Sequence, residues 1–111
     1  MTLILGYKSR GCTKDLTILD ADSDSITPGM HDKVRVMIGR EGQTPELTIT
    51  SDAATANGSS ITKGDPCRLR IDASDLSFPA GAYSFIFDYF DNADAQEWKN
   101  ISRQVFVLED T

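Results

Sequence analysis

Residues 67–90 read CRLRIDASDLSFPAGAYSFIFDYF, from Cys67 to Phe90, and their pattern decides the fold. Arg68-Leu69-Arg70-Ile71-Asp72 alternates polar and apolar residues, as a strand with one wet face does. Ala73-Ser74-Asp75-Leu76 has the length and polarity of a single helical turn, and Pro79, Ala80 and Gly81 close a short link. Ala82 to Phe90 is then an aromatic strand, with Tyr83, Phe85, Phe87 and Tyr89 on one side. Strand, polar link and aromatic strand predict two antiparallel elements of one β-domain.

Outward from this stretch the same period of two recurs. Val34, Val36 and Ile38 share one face of 31–39, with Lys33, Arg35 and Met37 on the other. Leu47 and Ile49 alternate in 46–50, Leu16 and Ile18 in 14–20, and 104–108 closes the chain as a strand. Turn chemistry separates these runs: Asp, Ser, Pro and Gly in 21–29, Arg40 to Pro45, and the tight-turn dipeptide Asn57-Gly58. No helical stripe exceeds two turns. The pattern predicts an all-β antiparallel sandwich of about seven or eight strands. With 111 residues there is room for one domain, 12–111, preceded by an N-terminal arm or first strand at 1–11.

One surplus bears on function. A sandwich strand needs a single apolar face, yet 83–90 is apolar on both. Ile86 and Phe90 point away from the Tyr83 set, and Phe106 and Leu108 are candidates to join them. Trp98, the sole tryptophan, is a core plug, an interface anchor or a sugar-stacking platform. The arm offers Leu3, Leu5 and Tyr7 as contacts. The surplus must be covered by the arm, by a loop or by another molecule, and an uncovered patch marks an interaction site. On this reading residues 1–7 are dispensable for the fold and needed for attachment.

Composition excludes several classes. The formal net charge is −6, with eleven scattered Lys and Arg and no basic block. Nucleic-acid binding needs a basic stripe, and an anionic membrane repels such a domain. No apolar run approaches the ~18 residues of a span, and Met1 to Gly6 lacks the features of a secretory leader; an intracellular protein at synthesis is the expectation. Cys12 and Cys67 read as free thiols, with a disulfide as the alternative. Asp20, Asp22 and Asp24 resemble the start of a calcium loop, but Ser25 and His31 stand where glycine and a bidentate glutamate are required. His31, the only histidine, has no nucleophile set around it. Asp91, Asp94 and Glu97, near Asp88, read as an acidic hairpin loop rather than a glycosidase pair. No catalytic residue, metal or cofactor is expected.

The chain resembles a known family on Lys14-Asp15-Leu16-Thr17-Ile18, Val34-Arg35-Val36, Leu69-Arg70-Ile71, Leu76, Gly81-Ala82-Tyr83-Ser84-Phe85 and Val105-Phe106-Val107. These parts, in this order, are similar to the small immunoglobulin-like domains of tailed-bacteriophage virion proteins. The resemblance is one of pattern and covers about ninety residues. It implies an immunoglobulin-like sandwich and a non-enzymatic virion part: a capsid decoration (cement) protein on the major capsid protein lattice. Its alternatives are a neck or tail accessory protein, or a carbohydrate- or cell-surface-binding module. The partners it implies are virion proteins and further copies of the chain.

Overall fold

In the computed structural model, residues 3–20, 22–92 and 97–110 are described. Their strands, in chain order, are β1 (Leu3–Tyr7), β2 (Cys12–Leu16), β3 (Ile18–Leu19), β4 (Ser25–Ile26), β5 (Lys33–Gly39), β6 (Leu47–Thr50), β7 (Ser60–Thr62), β8 (Cys67–Ile71), β9 (Gly81–Phe90) and β10 (Trp98–Glu109). Five strands form one sheet in the order β1-β10-β9-β5-β6, and three form a second in the order β2-β8-β7. β3 and β4 make a small separate hairpin. All pairings are antiparallel except β1 with β10. The chain is an all-β sandwich, as the alternation predicts.

Inward residues of both sheets meet in one core. Val34, Val36, Ile38, Ile49, Phe85, Phe87 and Phe106 from the five-stranded sheet pack with Cys67, Leu69 and Ile71 from the other. Phe85 and Phe106 stack with centroids 6.5 Å apart. The N-terminal segment is a full member of the sheet: β1 runs beside β10 from Leu3↔Val105 to Tyr7↔Glu109, and Ile4 is buried. Gly6 allows the close approach, since a Cβ there would lie 2.6 Å from Phe106 Cζ. Residues 3–7 are therefore not a detachable arm, because removing them would take Ile4 out of the core and uncover Phe106.

Phe106 and Leu108 require a correction. Both are buried, at 0% and 1% exposure, and face the core. The cause is a β-bulge: the β9–β10 register shifts between Asn100 and Ser102, and Ile101 packs against the core. One extra residue reverses which side each later side chain takes. Trp98 and Asn100 point outward before the bulge, and Arg103, Val105 and Val107 do so after it.

Polar side chains fasten the connections. A 3₁₀ turn at Ala73–Asp75 is capped by Asp72, whose carboxylate accepts from Ser74 N. Tyr83 Oη donates to Pro79 O, holding the link before β9. Asp75 accepts from Thr55 Oγ1 (2.6 Å), from Asn57 Nδ2 (2.9 Å) and from Ser59 Oγ, so the loop after β6 is tied to the turn after β8. Burial alone would raise the Asp75 carboxyl, but these three donors outweigh it and hold it below its ordinary value. Asp32 accepts from Gly29 N, Asn92 N and Tyr89 Oη, while Lys63 Nζ donates to the carbonyls of Gly29, Met30 and Asp32. Burial opposes ionisation of Asp32 too, and the same hydrogen bonds with the nearby Lys63 charge win, lowering its carboxyl. Tyr89 is shifted the other way, first by burial and then by its bond to the Asp32 carboxylate.

Candidate functional site

The outer face of the five-stranded sheet is the candidate site. The register fixes its rows. One runs Thr50, Arg35, Asp88, Asn100; the next runs Thr48, Met37, Ile86, Arg103. Gly39, Ser84, Val105 and Leu3 follow, then Ala82, Val107 and Leu5. Lys33, Phe90 and Trp98 form the row at the opposite end.

That end is polar and self-satisfied. Asp88, 5% exposed, accepts from Arg35 Nε at 3.0 Å and from Asn100 Nδ2 at 3.1 Å. A buried carboxylate on a sheet exterior needs such partners, because leaving it unpaired costs several kcal/mol. The Arg35 guanidinium also lies 4.2 Å from the Trp98 ring centroid, and Phe90 packs against Trp98 at 5.5 Å. Lys33 lies over Phe90 and pairs with Asp52.

The other end is apolar and open. Leu3 is 59% and Leu5 46% exposed, and Met37, Ile86, Val105 and Val107 are half-buried. β1 does not cover this surplus; it widens it. Of the residues singled out in the sequence, Leu3, Leu5, Ile86, Phe90 and Trp98 do share this face, and the half-buried Tyr7 continues it beneath Arg10. Trp98 is half-buried here and is not a core plug. Met37, Val105, Val107 and Arg103 were not singled out. The alternation of 33–39 already sets Met37 opposite the core residues, whereas the β10 residues were hidden by the bulge.

The remaining candidates have ordinary explanations. Asp20 Oδ1 accepts from the backbone of Asp22 and Asp24, which makes that segment a side-chain-closed turn. Among the described residues no group of three or more His, Cys, Asp or Glu side chains is placed to hold a metal ion. His31 is exposed. Asp94 lies outside the described residues. Cys12 and Cys67 are free thiols at opposite ends of the β2–β8 ladder, facing Ile71 and Leu16 respectively, and burial raises both. Among the described residues no helix is long and apolar enough to cross a membrane.

Compared with known proteins, the chain matches no family model and no curated protein.

Proposed function

We propose that this chain is a non-enzymatic structural protein of a tailed-phage virion, a capsid decoration protein that attaches to the major capsid protein lattice. The observation that carries the reading is the open apolar end of the outer sheet face, centred on Leu3, Leu5, Val105 and Val107. Burying such a surface contributes roughly 25 cal/mol per Å² before the costs of association. Repetition over a symmetric lattice adds avidity without new contacts. The immunoglobulin-like resemblance gains support from the strand order and from the Tyr83–Pro79 bond at the corner before β9, a feature such sandwiches share. The carbohydrate reading loses ground, since Arg35 and Phe90 already pack on the Trp98 ring.

Quantitative mass spectrometry of purified virions tests the proposal. Hundreds of copies per particle are expected of a decoration protein. Six or twelve would move it to the neck or tail, and absence from virions overturns the reading. Attachment is then tested by Leu3→Asp with Leu5→Asp, which charges two exposed positions. Truncation of 1–7 is unsuitable because it damages the core.

A further inference from the structure

We infer that Asn57 is a self-modification site gated by Asp75: it deamidates when the loop after β6 opens, and the product does not re-form the tie that held the loop shut. The inference stands apart from the docking face and does not depend on it. Asn57 is exposed, and of the three asparagines it alone precedes a glycine; Asn92 and Asn100 precede Ala93 and Ile101. With no Cβ in the way, the backbone nitrogen of a glycine is open to the side chain before it. The step balances with water as the one co-reactant. Gly58 N attacks Asn57 Cγ, and the new N–C bond closes a succinimide ring. The side-chain nitrogen of Asn57 leaves as ammonia, taking up the equivalent of the proton that Gly58 N gives to solvent. Water then opens the ring at either carbonyl, which yields aspartate or isoaspartate.

In the closed loop both reacting groups are occupied. Gly58 N donates to Thr55 O at 3.0 Å, which turns the attacking nitrogen back into its own turn. Asn57 Nδ2 donates to Asp75 Oδ1 at 2.9 Å, which pins the amide that must be attacked. Asp75 is itself fixed by Thr55 Oγ1 and Ser59 Oγ, and Arg70 Nη1 holds Gly58 O at 3.0 Å. The attacking nitrogen must also lose its proton, and the Asp75 carboxylate opposes the negative charge that develops there. Reaction therefore proceeds from the open fraction of the loop. The product differs from Asn57 in one decisive way. An amide nitrogen donates, whereas an ionised carboxylate only accepts. An aspartate at position 57 sets two like charges together where a hydrogen bond stood. An isoaspartate also lengthens the backbone in the turn that holds Gly58 at φ +97°. The connection between β6 and β7 is loosened in one direction only.

The test is peptide mapping by mass spectrometry of the full chain aged in mildly alkaline buffer. In concentrated urea, position 57 should deamidate ahead of Asn92 and Asn100. In the folded protein its rate should be lower by about tenfold or more. Asp75→Ala should raise the folded-state rate by about fivefold or more, since it releases the amide. Gly6→Ala weakens the fold at β1, the opposite edge of the sheet from β6, and should leave the rate unchanged. Circular dichroism checks that both variants are folded. Asn57→Asp stands in for the aged chain and should lower the urea midpoint by about 0.5 M. Equal rates in the folded and unfolded chains overturn the inference. So does an Asp75→Ala rate no higher than that of Gly6→Ala, or an Asn57→Asp midpoint equal to that of the wild type. The first and last of these comparisons need no change at Asp75, so they decide the matter even where Asp75→Ala does not fold.

Discussion

Replacing Asp75 with Ala removes the acceptor that joins the loop after β6 to the turn after β8. Three side chains lose a partner: Thr55, Asn57 and Ser59. Ser59 is fully buried, and its hydroxyl also accepts from Asp72 N, so it cannot turn to water without breaking a second bond. Each bond to a carboxylate in a partly solvated site contributes about 1 kcal/mol, which gives a loss of about 3 kcal/mol. With a urea slope of about 1.5 kcal/mol/M, the unfolding midpoint should fall by about 2 M. Asp22→Ala, on an exposed turn, is the control and should move it by less than about 0.3 M. The assay is urea unfolding followed by tryptophan fluorescence at neutral pH. An Asp75→Ala midpoint within error of the control would refute the argument that this carboxylate holds the two connections together.

Asp75 and Asp32 also set an acid dependence. Both folded carboxyls lie below their unfolded value of about 3.9, so their contribution is complete above that pH and is lost as pH falls through the folded values. Acid unfolding of Asp32→Asn and of Asp75→Ala should accordingly be shallower than that of the wild type below pH ~4. Gly6→Ala should cost about 1–3 kcal/mol in thermal unfolding, because the new Cβ meets a Phe106 ring with no room to move. Tyr83→Phe should cost about 1 kcal/mol by leaving Pro79 O without its donor, measured by urea titration. Non-reducing mass spectrometry after oxidation should find Cys12 and Cys67 unlinked within a chain, since four residues of ladder separate them.

The strands were legible where one face is buried. Val34, Val36 and Ile38 alternate in sequence and are all fully buried, and the two sides of β9 were separable by parity alone. The single helical turn expected at 73–76 stands at Ala73–Asp75, with Asp72 as its cap. The outer face was only half legible. Counting by twos from Trp98 puts Phe106 and Leu108 beside it, and nothing in the local sequence marks Ile101 as the residue that reverses the phase. Asp88 was hidden for another reason. An aspartate between Phe87 and Tyr89 reads as solvated, and only the pairing of β9 with β5 and β10 brings Arg35 and Asn100 to bury it. The place of β1 was ambiguous because Leu3 and Leu5 are as apolar as the buried Ile4; the parallel ladder with β10 turns them outward.

Hydroxyl-radical footprinting of assembled virions against the dilute isolated protein addresses the docking face most directly. Leu5 and Met37 lie on that face, while Met30, 85% exposed in the connection before β5, serves as an internal reference. The account requires oxidation of Leu5 and Met37 to drop on assembly while Met30 stays reactive. Unchanged reactivity at Leu5 and Met37 in the virion, with protection elsewhere, would contradict it.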